Sequence, residues 1–153
     1  VLSAQSGNTG GLTWVEAASG GLVQTVLGTS SSSESSSSTS YIDSNLTLNI
    51  TPSSSSNKII LMAHLCIEAA SGSVHCDIRR TVSASGTLIS GDADGFLRQQ
   101  NAGQQNVGAI VYKDTPNTTS EITYTVAYKN AGGTSNFNNA QSIISLVAME
   151  VSV

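Results

Sequence analysis

Serine is the most abundant side chain that could act as a nucleophile, but only two histidines, His64 and His75, could serve it as a base. A hydroxyl needs such a base within hydrogen-bond reach, and no Gly-x-Ser-x-Gly elbow occurs. The two histidines read as surface residues of a hairpin. Asp92 and Asp94, within Gly91-Asp92-Ala93-Asp94-Gly95, offer paired carboxylates for glycosidase chemistry or oxygen ligands for calcium. The further spaced ligands and closing Glu of an EF-hand are missing, so the segment reads as a solvated turn. His64 with His75 or Asp77 across a hairpin would make a metal site, against the ordinary role of a satisfied interface or core histidine. No catalytic, metal or cofactor site is therefore expected, and the chain reads as a non-enzyme.

Binding is the chemistry these residue types suit better. Segments 70–73, 91–95, 101–106 and 130–139 are rich in Asn, Gln, Asp and Gly. Amide side chains carry donors and acceptors together, which suits hydroxyl-rich glycans. Asp92, Asp94, Asn101, Gln104, Asn136 and Asn138 are the candidate receptor contacts. Tyr41, Phe96, Tyr112, Tyr124, Tyr128 and Phe137 could stack on sugars, although alternating strand aromatics such as Tyr124 and Tyr128 read as core. The sequons at Asn45, Asn49 and Asn117 are the number expected by chance at this composition.

The elements that must carry these loops are strands. Leu46, Leu48 and Ile50 alternate with Asn45, Thr47 and Asn49, a period of two with one buried face. Pro52 and the serines after it end that strand. Residues 59–67 are apolar on both faces. Ile59, Leu61, Ala63, Leu65 and Ile67 suit a core, leaving Ile60, Met62 and His64 as a candidate subunit interface, because a monomer would expose them. Ala70-Ser71-Gly72-Ser73 reads as a hairpin turn into Val74, Cys76 and Ile78, with His75, Asp77 and Arg79 outward. In that register Cys66 and Cys76 lie on opposite faces, so two free thiols are expected. Further strands are expected at 86–90, 95–99, 106–113, 122–129 and 143–151, and no segment has helical periodicity. The pattern predicts an all-β, antiparallel β-sandwich of jelly-roll type after an irregular Gly/Ser-rich N-terminal arm. The expected units are an arm at 1–28 with a first strand at 21–28, a Ser/Thr-rich loop at 29–40 and the sandwich at 41–153.

Composition removes other classes. Charged residues are 10% of the 153 and the net charge is −4, so neither a coiled coil nor a nucleic-acid partner is expected. No apolar run reaches the ~20 residues of a membrane span, no basic leader precedes an apolar stretch, and no membrane partner is expected. A start at Val1 without Met reads as the ordered or processed end of a longer protein.

The order Thr39-Ser40-Tyr41-Ile42-Asp43, then Ile50-Thr51-Pro52-Ser53 and Asn57-Lys58-Ile59, resembles a C-terminal β-domain of bacteriophage tail-fibre-like proteins. Lys113 to Ser120, Ile122-Thr123-Tyr124, the Asn130–Thr134 turn and the Met149-Glu150 ending fit the same family. Val1-Leu2-Ser3-Ala4 through Gly11-Leu12-Thr13-Trp14 resembles the short repeat before such domains. The resemblance implies a non-enzymatic virion protein, usually a homotrimer, assembled with other virion proteins in the bacterial host cytoplasm and touching a host glycan or protein. A capsid decoration or capsid-fibre protein is the first alternative. A carbohydrate-binding module or polysaccharide depolymerase is the second.

Overall fold

A computed structural model describes residues 20–100, 103–140 and 142–153, together with the backbone of two short strands, β1 (Leu2–Ala4) and β2 (Leu12–Trp14), which pair with each other. The remaining strands are β3 (Leu22–Ser30), β4 (Glu34–Ser36), β5 (Ile42–Ile50), β6 (Lys58–Ala69), β7 (Val74–Val82), β8 (Ser85–Leu88), β9 (Leu97–Gln99), β10 (Gln104–Asp114), β11 (Ile122–Asn130), β12 (Ser135–Phe137) and β13 (Ile144–Val151). There is no helix among the described residues.

The strands form two antiparallel sheets. One runs β3-β13-β6-β10 and the other β5-β11-β7-β8, with β9 on the end of β7. Successive long strands switch sheets, which is the double-sheet jelly-roll connectivity. Alternation sets the core: Leu46, Leu48, Ile59, Leu61, Leu65, Ile78, Tyr124 and Leu146 all point between the sheets and are buried. Tyr128 stacks on Phe137 with ring centroids 5.2 Å apart.

β10 pairs with β6 along the whole of β10, so β13 and β12 share the opposite edge of β6 in tandem. Their outer neighbours β3 and β4 are in tandem as well. The segments between the strands of each pair are tied by Asn138, whose Nδ2 donates to Ser32 O at 3.2 Å and to Ser142 O at 2.8 Å. The strand expected at 21–28 within the N-terminal arm runs from Leu22 to Ser30 and is hydrogen-bonded into the sheet by β13, so it is part of the sandwich and not of an arm outside it. β4 lies inside the Ser/Thr-rich stretch expected to be a loop, and pairs with β12. On the β3 side the sheets approach so closely that a Cβ on Gly28 would sit 2.3 Å from Thr47 O, a contact only glycine permits.

The 70–73 turn is not a hairpin. β6 belongs to the first sheet and β7 to the second, so the turn is an arch between layers. Cys66 and Cys76 are both free and buried, separated by sheet membership rather than by facing opposite ways across one hairpin. Burial pushes the Cys76 thiol up to about 12. His64 and His75 likewise sit on different sheets, and the cross-hairpin metal site has no geometry. No metal-ligand cluster occurs among the described residues.

Candidate functional site

Two regions stand out: the outer face of the β3-β13-β6-β10 sheet and the loop end next to it. On the outer face, register lines up side chains across four strands. Leu27, Val147, Met62 and Val111 form one row. Thr25, Met149, Ile60 and Lys113 form the next on one side, and Thr29, Ser145, His64 and Ala109 the next on the other. Leu27 is 61% exposed, Met62 44% and Val111 69%. A shallow depression of about 250 Å³ lies between Met62, His64, Ala109, Val111 and Val147. Large side chains left bare in one contiguous row mark a contact surface on a soluble domain.

The three residues expected at a subunit interface, Ile60, Met62 and His64, all lie on this face. Sequence reading missed the residues that make it continuous: Leu27, Val107, Val111 and Val147. The signal was present in 107–111, where apolar residues occupy both alternating faces of β10.

The loops expected to bind gather at one end of the sandwich. Thr134 O accepts from the amides of Ala70 and Ser71, Gly103 N donates to Ala69 O, and Lys129 Nζ donates to Ala93 O. Asp92 and Gln104 are exposed, and Asn136 is half-buried in β12. Asn138 is not a surface contact: it is fully buried, has φ +56° and ties two loops. Asn101 lies outside the described residues. No aromatic platform forms from the aromatic set. Tyr124, Tyr128 and Phe137 are core, and Phe96 packs on Tyr112 at 4.8 Å.

Asp94 belongs to a strap, residues 90–95, laid over the outer face of the second sheet, while Ile89 and Phe96 at its ends turn in against the core. Asp77 beneath it is fully buried and accepts from Ser90 Oγ at 2.5 Å, Ser90 N at 3.3 Å and Ile78 N at 2.6 Å. Phe96 N donates to Cys76 O at 2.9 Å. Gly95 (φ +73°) is required there, since a Cβ would strike Cys76 O. His75 and Asp77 therefore point outward, as alternation dictates, but they are covered rather than solvated.

The strap brings Ser73, His75 and Asp94 together. Ser73 Oγ lies 2.9 Å from His75 Nε2, and His75 Nδ1 lies 3.1 Å from Asp94 Oδ1. The spacings resemble a triad, but the burial is inverted. Ser73 is 5% exposed and His75 2%, whereas the Asp94 side chain is 53% exposed. A nucleophile must reach substrate, and this hydroxyl faces protein. His75 Nδ1 has no well-directed hydrogen bond, so its contact with Asp94 is electrostatic. Burial holds the His75 imidazole below its ordinary value, with the Asp94 carboxylate pulling the other way. The cluster fastens the strap.

No family model matches the chain, and no curated protein matches it. Solved structures do. A mutant VP2 protein of infectious bursal disease virus in derived T=1 particles aligns with 97% of this chain and 40% of its own, at 13% identity and a TM-score of 0.44. The T13 particle of the same virus aligns with 97% and 41%, at 12% identity and a TM-score of 0.43. The Gt strain aligns with 97% and 43%, at 13% identity and a TM-score of 0.43. The chain thus spans about two fifths of the length of the chains it matches. At this degree of similarity, function rests on the chain's own residues.

Proposed function

We propose that the chain is a non-enzymatic structural protein of a bacteriophage particle, a tail-fibre or receptor-binding domain that works by contact. Copies bury the Leu27–Val147–Met62–Val111 face against one another as a homotrimer, and the loop end with Asp92, Gln104 and Asn136 meets a host-surface glycan or protein. It assembles in the bacterial host cytoplasm and resides in the virion. The single observation that carries this reading is the division of labour on one jelly roll. One broad face is apolar and bare, and the polar loops collect at one end. The order of turn motifs along the chain supports the phage assignment.

Two measurements test it. Antibody against the chain should label fibres on intact particles, and the isolated protein should compete with particles for adsorption to host cells. Labelling at hundreds of copies over the shell would favour the capsid-decoration alternative. Release of reducing sugar from host polysaccharide would overturn the non-enzymatic reading.

A further inference from the structure

The edges of the two sheets are not equivalent. β3 and β5 lie against each other where Gly28 meets Thr47, and β8 is only four residues long. β10 is eleven residues long, pairs with β6 without a bulge, contains no proline, and among the described strands has no partner on its other side. The one described hydrogen bond to that side from outside the β6 ladder is at its end, from Gln99 Nε2 to Gln104 O at 2.8 Å. Natural edges are usually blunted by bulges, prolines, charges or brevity. Here Lys113 is the single basic residue, at one extremity, and Val107 and Val111 are each 69% exposed beside the edge.

We propose that β10 pairs antiparallel with β10 of a second copy of this chain, about a two-fold axis at Ala109. Ala109 is the midpoint of the strand, so this register pairs all eleven residues. It sets Val111 opposite Val107 of the second copy and Ala109 opposite Ala109. Lys113 falls opposite Gln105, and Asp114 opposite Gln104, so no like charges meet. Gln105 neighbours Glu68 across the β10–β6 ladder. Lys113 therefore faces the Glu68 carboxylate of the second copy two strands away, about 10 Å between backbones and within reach of two extended side chains. The charge pair is made twice by the two-fold. The pairing also joins the two apolar faces into one sheet surface. It uses the edge of β10, not its face, so it can coexist with a ring that buries the face, and it does not depend on the virion reading.

Single cysteines on the exposed side of β10 test the register in the whole chain under mild oxidation, with the wild-type buried thiols as control. Directly opposed residues in an antiparallel pair lie within disulfide range. Ala109→Cys should give a disulfide-linked dimer. Val107→Cys, made in a Cys66→Ala background because Cys66 is its own ladder partner in β6, and Val111→Cys should each give no disulfide-linked dimer alone and cross-link when mixed. An Ala109→Cys chain that stays monomeric at high micromolar concentration overturns the proposal, as does equal cross-linking of all three single variants. Lys113→Glu in the Ala109→Cys chain should slow cross-linking about tenfold, and adding Glu68→Lys should restore it. Slowing without rescue overturns the register. Met62→Glu, which breaks a ring built on the face, should leave the cross-linking pattern unchanged.

Discussion

The two outer faces of the sandwich arise from the same alternation and end in opposite states. On the β5-β11-β7 side, β7 presents His75 and Asp77 and β11 presents Thr125 and Ala127, and all four are buried. The strap covers His75 and Asp77, Thr125 Oγ1 lies 3.0 Å from Thr47 Oγ1, and the outward residues of β5 stay exposed. On the β3-β13-β6-β10 side, Leu27, Met62 and Val111 lie bare, and no described segment of the chain covers them. Polar groups under the strap are sealed and the apolar row is open, the reverse of what solvation alone would choose. Polar groups under a strap can be satisfied one by one by its backbone and serines. An apolar stripe needs only area, which the proposed second subunit would supply. The difference separates a surface finished within the chain from one left open to the proposed assembly.

The largest test of that contrast is to unseal the finished face. Asp77→Ala removes the acceptor for Ser90 Oγ, Ser90 N and Ile78 N and leaves those donors under the strap. Stranded buried donors cost about 1–3 kcal/mol each when unrelieved. With the strap free to lift, the expected loss is about 3 kcal/mol, or roughly 10 °C in Tm for a domain of this size, measured by calorimetry. An unchanged Tm would mean that the strap is not part of the folded unit.

A second test asks whether the strap and the interior are independent. Glu150, fully buried at the far end of the sandwich, forms no ion pair among the described residues. Burial alone would raise its pKa, but donors from Gln24, Asn57 and Ser53 outweigh it and hold the carboxyl down to about 2. A folded pKa below the unfolded value gives stability that is complete above about 4.5 and lost as pH falls toward 2. Glu150→Gln should flatten that acid slope and cost about 1–2 kcal/mol at neutral pH. The slope should persist in Asp77→Ala if the two regions are separate.

A smaller effect belongs to His75. Its imidazole is held below the ordinary value chiefly by burial, so the folded state resists protonation. The stability it contributes is present above about pH 6.5 and is lost below it. Amide exchange in 90–95, corrected for intrinsic rates, should be faster at pH 5.5 than at 7.5. His75→Phe should remove that difference. A strap whose exchange ignores pH would show that Asp94 fully offsets the burial.

Strand alternation made much of the fold legible. Leu46–Leu48–Ile50 and Ile122–Tyr124–Val126–Tyr128 point inward as the period of two requires, and the jelly-roll class follows from many short strands without helical periodicity. Partner choice was not legible. Ala70-Ser71-Gly72-Ser73 has the composition of a hairpin turn, yet β6 and β7 part because β10 and β13 occupy both edges of β6. The strap was hidden for a similar reason: Gly91-Asp92-Ala93-Asp94-Gly95 has loop composition whether it faces water or covers Asp77. Asn138 reads as a surface amide because Asn favours positive φ in loops, and its burial depends on the carbonyls of Ser32 and Cys66, both far away in sequence. Ile60, Met62 and His64 were legible because they break the polar side of an alternating strand.

The smallest expected change in stability is on the open face, and it separates the two faces most sharply. Met62→Ser should leave the Tm within about 1 °C, because a 44% exposed side chain already gives up little to solvent on unfolding. Met62→Glu should behave similarly in the isolated subunit. In the oligomer the two variants diverge. Serine removes part of the apolar row, whereas glutamate puts a carboxylate between Val147 and Val111, where a second subunit would strip its water. Light scattering should show mild weakening of assembly for serine and loss for glutamate, with circular dichroism unchanged in both. If glutamate lowered the Tm of a chain that is monomeric before substitution, Met62 would be packed within its own subunit and the face would not be open.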